Sequence, residues 1–296
     1  MVIKDVIRVK DDRLLDGLSP VVRIMSKLKT SVDSDVAIDL SLAQFVSPVF
    51  ALSLIVYLNQ CGRQVTLLNA TDYLNVIGLP IRGIKPDQMR QTEFLAMLEQ
   101  YALKTYIPII DFDARRNSDA KEVVSSLIEN IIIRQLNIQP NVATGFKYMV
   151  DETLDNITEH SESDRGYLFA QAYPTKGFLD ICIADCGVTL LGSYQKLSGN
   201  EIASDMEAIK AANRGISSKN LPDAENRGYG IRTSKSMLVD GLGGQYLMIS
   251  GGSLYFKRPG YDSFFRVPDG LRWNGTIVAM RIPYQSVQFN YIHYLE

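Results

Sequence analysis

Glu152 and Asn156 stand one helical turn apart in the stretch Val150-Asp151-Glu152-Thr153-Leu154-Asp155-Asn156-Ile157-Thr158-Glu159-His160. A carboxylate can order and deprotonate a water, and a neutral amide oxygen one turn later can coordinate magnesium. Glu152, Asn156 and His160 step by four, forming a stripe apart from the buried face that Phe146, Val150, Leu154 and Ile157 predict. Alone, that stripe is better read as a solvated helix face. Later segments shift the balance. Phe178 to Asp185 alternates as a strand, with Ile181, Ile183 and Asp185 on one side. Asp185 is then a carboxylate ending an apolar strand, in need of a donor that the exocyclic amine of adenine would supply. Gly187 lets the backbone approach a flat ring closely. The long polar run from Arg214 to Arg227 reads as a cover loop, and it leads through Gly228-Tyr229-Gly230 into the helical pattern Ile231 to Leu238. Backbone amides exposed at such a junction suit phosphate oxygens, with Arg227, Arg232 and Lys235 as candidates for added charge. Gly275-Thr276 closes the set, just before a strand from Ile277 to Ile282.

Several elements must position these residues. Val36 to Leu40 alternates like a strand, Phe45 to Pro48 is a loop, and Val49 to Cys61 is an apolar helix stopped by Gly62. Pro48 fits a first helical turn, where its missing N–H would have been unpaired anyway. Gln64 to Leu68 is a second strand and Asp72 to Ile77 a short helix ended by Gly78. Gln91 to Leu103 reads as a connector helix, and Thr105 to Phe112 as a strand in which Pro108 favours an edge or a strand start. A helix is expected from Ser118 to about Leu136, and another from Val142 to about Glu159. The resulting division is a small α/β module over 1–82, a helical connector over 83–103 and a second α/β domain over 104–296.

Composition narrows the classes. Of 296 residues, 46% are apolar and 22% charged, enough to bury a substantial core, and the length suggests two domains. A net charge of −2, with no long basic run, gives no footprint for nucleic acid. Cys61, Cys182 and Cys186 lack CxxC spacing and read as packing residues rather than as disulfides or zinc ligands. Met1 to Arg13 has no apolar centre, so a secretory signal is not expected. Leu40 to Leu58 is uncharged and long enough to span a bilayer, but its Ser, Gln and Pro residues favour a strand turning into a buried helix. The expected setting is the cytoplasm, without membrane contact.

Residues from about 105 to 285 resemble the GHKL ATPase superfamily, which includes gyrase, histidine kinases and the anti-sigma serine kinases. The resemblance implies a Bergerat-type α/β sandwich, a mixed sheet with helices on one face, that binds ATP with Mg2+. It implies Glu152 as catalytic base and Asn156 as magnesium ligand. Asp185 and Gly187 then read adenine, Gly228, Tyr229 and Gly230 belong to the phosphate lid, and Thr276 supports the adenine site. The usual Asp-x-Gly-x-Gly is here Asp185-Cys186-Gly187-Val188-Thr189, without its second glycine. The two histidines, His160 and His293, are misplaced for a phosphoacceptor, so histidine autophosphorylation is not expected.

Residues 30 to 80 resemble the STAS fold of anti-sigma-factor antagonists, on Ile38-Asp39-Leu40, Phe45-Val46-Ser47-Pro48 and Gly62 to Leu67. Ser47 stands where regulated members carry a phosphate acceptor, and a helix N-cap is the preferred reading of it. Three functions follow from the two resemblances. They are a slow ATPase acting as a conformational switch, a serine/threonine kinase acting on a STAS-type protein partner or on its own N-terminal module, and a nucleotide sensor that does not hydrolyse. A homodimer is left open.

Overall fold

A computed structural model describes residues 1–4, 13–101, 104–115, 140–197, 201–217, 230–283 and 289–295. The helix expected over 118–136, together with Arg227, Gly228 and Tyr229, lies outside the described residues. The fold is mixed α/β, built on two sheets. The small sheet is parallel, in the order β1 (Val2–Lys4), β2 (Asp35–Asp39), β3 (Gln64–Leu68). Its crossovers are α1 (Leu18–Thr30) and α2 (Pro48–Gln60), and α3 (Asp72–Val76) follows β3. Ser47 caps α2: its Oγ accepts from the Phe50 backbone N–H at 3.2 Å, and Pro48 takes the first helical position. Ser47 is only 5% exposed, and a Cβ built on Gly17 would sit 2.5 Å from its Oγ. It is a cap under a lid of backbone, inaccessible as a phosphate acceptor.

The large sheet contains β4 (Tyr106–Asp113), β5 (Arg165–Tyr173), β6 (Phe178–Asp185), β7 (Gln245–Gly251), β8 (Ser253–Arg258), β9 (Tyr261–Arg266) and β10 (Trp273–Pro283). Its order is β4-β5-β6-β10-β7-β8-β9, and every pairing is antiparallel. The expected mixed sheet is therefore corrected. Short turns join β5 to β6, β7 to β8 and β8 to β9, and such turns connect only antiparallel neighbours. β4 is an edge strand whose register slips between Ile107 and Ile110, around Pro108. Its outer side is covered by Ile84, which exchanges backbone hydrogen bonds with Ile109 and Asp111 at 2.8 Å.

Helices cover both faces of this sheet, not one. Leu168, Ile181, Ile183, Val278 and Met280 point to one side and pack with Phe146, Val150, Leu154 and Ile157 of α5 (Pro140–His160), the helix that follows α4 (Gln91–Tyr101) and β4 among the described residues. Phe169, Cys182, Ala184, Ile249, Ile277 and Ala279 point to the other and share a core with α1 and α2. β6 is apolar at both parities, the pattern of a strand buried on both faces. This arrangement also explains the uncharged stretch over 40–58. From Pro48 to Leu58 every α2 residue is buried, because the helix lies between the small sheet and the large one. At roughly 2 kcal/mol per buried large aliphatic or aromatic side chain, its eight from Val49 to Leu58 hold the module down firmly. Among the described residues, no helix is long and apolar enough to cross a membrane. The cysteines are unpaired, with Cys182 buried in the shared core.

Candidate functional site

α5 presents its apolar stripe to the sheet and turns Glu152, Asp155, Asn156, Glu159 and His160 toward a cavity of about 440 Å³. The Asn156 Nδ2 donates to the Glu152 backbone oxygen at 2.8 Å and to its Oε1 at 3.3 Å. With its Nδ2 so engaged, the group of Asn156 that could serve a ligand is its carbonyl oxygen, a donor suited to a hard cation. Asp155 and Glu159 escaped the sequence reading. Their offsets of three and seven from Glu152 place them along the same helix side, a signal that the step of four obscured.

Across the cavity, β6 ends at Asp185, which is 1% exposed. Its Oδ1 accepts from the Gly187 N–H at 2.8 Å and its Oδ2 from the Thr276 N–H at 3.0 Å. Burial pushes its carboxyl up to about 7, against the opposing pull of those two hydrogen bonds. Gly275 makes the arrangement possible. Its φ is +75°, and a Cβ there would lie 2.3 Å from the Asp185 carbonyl oxygen. Ser250 braces the far side: its Oγ donates to the Gly275 oxygen at 2.9 Å, accepts from the Leu190 N–H at 2.9 Å and lies 3.3 Å from Thr276 Oγ1.

Gly187 has a different role from the one expected. It does not line the cavity. A Cβ on it would fall 1.8 Å from the Ser161 carbonyl, so its close approach is to the backbone after α5. The missing second glycine has a local explanation too. Thr189 caps α6 (Leu190–Gln195), its Oγ1 accepting from the Gly192 N–H at 3.2 Å.

The third wall comes from α7 (Asp205–Asn213), through Ala212, and from α8 (Gly230–Ser236), through Gly230, Ile231 and Ser234. Gly230 abuts Glu152, where a Cβ would lie 1.7 Å from Oε1. Ile183, Met248 and Val278 supply an apolar floor. Lys235, a candidate for charge toward phosphates, points elsewhere. It is buried, donates to the Asn213 oxygen at 2.9 Å and lies over the Tyr255 ring, and burial lowers its ammonium to about 8. Thus Glu152, Asn156, Asp185, Gly230 and Thr276 meet at one cavity, Gly187 stands behind it, and Gly228 and Tyr229 fall outside the described residues. Among the described residues no group of three His, Cys, Asp or Glu side chains could hold a metal ion.

Comparison with protein-family models, with curated proteins and with solved structures returns no match for this chain. The site must be interpreted from its own chemistry.

Proposed function

We propose that this cavity binds an adenine nucleotide with magnesium and hydrolyses it slowly, so that the protein acts as a conformational switch of the GHKL type beside a STAS-like module. One observation carries the reading. Three segments far apart in sequence, carrying Glu152 with Asn156, Asp185, and Thr276, border a single cavity whose volume lies in the usual range for small-molecule sites.

In this reading the adenine amine donates to Asp185 while the ring lies over Ile183, Met248 and Val278. Donation to the carboxylate relieves part of the cost of burying it. Asn156 offers its amide oxygen to magnesium, which would draw its other ligands from water and phosphate oxygens, the usual coordination for this ion. Bound there, magnesium would neutralise charge developing on the transferred phosphoryl group. Glu152 orients the attacking water and takes its proton. Gly230 matters by having no side chain, which leaves that carboxylate its place.

Transfer to the protein's own Ser47 is disfavoured by the burial of that hydroxyl. A separate STAS-type protein remains the natural kinase substrate, should phosphate be transferred rather than released. Incubation with gamma-labelled ATP and magnesium decides among the readings. Free phosphate supports the switch, label on a partner supports the kinase, and binding without either supports a sensor. Calorimetry showing no affinity for any adenine nucleotide would remove the proposal altogether.

A further inference from the structure

The last turn of α2 grips both backbone segments that build the Asp185 corner. Asn59 Nδ2 donates to the Tyr167 hydroxyl at 2.9 Å and reaches Cys186 Sγ at 3.7 Å, and Cys186 directly follows Asp185. Asn59 Oδ1 is held in turn by Arg82 Nη1 at 2.9 Å, and Arg82 Nη2 donates to the Val65 oxygen of β3 at 3.1 Å. Gln60 Nε2 donates to the Arg272 oxygen at 2.5 Å, and its Oε1 accepts from the Asn274 N–H. About two turns before Gln60, the Ser53 carbonyl receives the indole N–H of the fully buried Trp273 at 2.8 Å. Residues 272–274 lead directly into Gly275 and Thr276. The two N–H groups that Asp185 accepts, from Gly187 and Thr276, therefore each follow closely on a residue tied to α2.

We infer that Asn59 and Gln60 are positioning residues for the base-reading carboxylate, so that the N-terminal module sets the nucleotide affinity of a site it does not line. The affinity part of this inference rests on the nucleotide reading above, whereas the positioning part does not. Neither side chain is buried in the core, so removing them leaves the packing of α2 intact. What they fix is the relative position of two loops, and hence the distance between the Asp185 carboxylate and its two donors. Tyr73 of α3 provides a control. Its hydroxyl also bridges the two layers, to Gln171 Oε1 at 3.2 Å, but Gln171 pairs with Asp180, toward the end of β6 remote from Asp185.

The test is calorimetry and steady-state kinetics with magnesium–ATP on the full chain, comparing wild type, Asn59→Ala/Gln60→Ala and Tyr73→Phe, each checked by thermal melting. The double variant should bind about tenfold more weakly, for the loss of two or more modest hydrogen bonds, with kcat at saturation retained. Tyr73→Phe should bind as wild type does. In a Cys61→Ser background, thiol labelling of Cys186 should be faster in the double variant, because Asn59 no longer covers the sulfur. Unchanged affinity in a folded double variant overturns the inference, as does an equal loss in Tyr73→Phe. Failure of the wild type itself to bind ATP sinks the nucleotide reading instead, and the Cys186 rate then still decides whether the clamp exists.

Discussion

Replacing Gly230 by alanine should disable Glu152 without unfolding the protein. The Cβ would appear 1.7 Å from Glu152 Oε1, 1.9 Å from Cδ and 2.6 Å from Cγ. Ordinary contact needs about 3.5 Å, so the carboxylate must retreat by roughly 2 Å. The obstacle is the far end of a flexible side chain, and rotating it away costs on the order of 1 kcal/mol. Alanine in place of glycine at a helical position returns a similar amount, about 0.5–1 kcal/mol. The two nearly cancel, so the melting temperature should shift by no more than a few degrees. Turnover should respond very differently. Misplacing a reacting group by ~1 Å already costs on the order of a hundredfold, and a general base contributes about 100- to 10,000-fold. Gly230→Ala should therefore keep nucleotide affinity and lower kcat at least about a hundredfold, approaching the value of Glu152→Ala. The assay is single-turnover phosphate release on both single variants and the double variant. If the alanine acts only through the carboxylate, Gly230→Ala adds nothing once Glu152 is already alanine. Full turnover in Gly230→Ala, or losses that multiply in the double variant, would refute the reasoning.

Two further outcomes follow from the Asp185 corner. Its carboxyl titrates near 7 in the fold and at 3.8 as an ordinary aspartate. Because the folded value is the higher, this group's contribution to stability is fullest below pH 3.8 and is lost as pH rises toward 7, by at most roughly 4 kcal/mol. A ligand amine that donates to the ionised form reverses that preference, so adenine affinity should strengthen from pH 6 to 8 with uptake of the ligand releasing a proton. Calorimetry in buffers of different ionisation enthalpy measures the proton directly, and using adenosine beside ATP separates phosphate titration, which lies at about pH 6. A flat profile for both ligands would place the base elsewhere. Gly275→Ala meets a φ of +75° and the Asp185 backbone together, and should destabilise the protein by about 2–4 kcal/mol in urea melts while abolishing binding. A stable variant with wild-type affinity would show that the corner is not needed.

Much of the site was legible because it depends on short periods. The step of four from Glu152 to Asn156 fixes a helix side, and period-two alternation through Ile181 and Ile183 puts Asp185 at the end of a strand. Local punctuation was equally readable. Ser47 and Pro48 open α2, and Pro108 sits where β4 loses register. Long-range facts were not. Nothing near Gly187 in sequence announces Ser161 as its neighbour, and the burial of Lys235 depends on Asn213 and Tyr255 from other elements. The second helical layer was partly visible after all. β6 is apolar at both parities, and α2 is apolar all round, two signs of one interface that only the fold brings together.

The buried carboxylate and the doubly covered sheet belong to one physical arrangement. An acid that resists ionisation to about pH 7 is costly to keep at the end of a strand. It persists because the backbone around it is fixed from several sides: Gly187 against Ser161, Gly275 against Asp185 itself, and Ser250 beneath Thr276. A sheet open to water on its second face would leave the start of β10 free to relax toward solvent, and the two N–H groups could drift from the carboxylate. With α2 seated on that face, relaxation requires dislodging Trp273 and the core around it. The cost of burying the carboxyl is thus sustained by packing remote from the cavity, and on the proposed reading a ligand donor to Asp185 would offset part of it. Coupling between nucleotide and N-terminal module is the expected consequence, since whatever loosens one must be felt by the other.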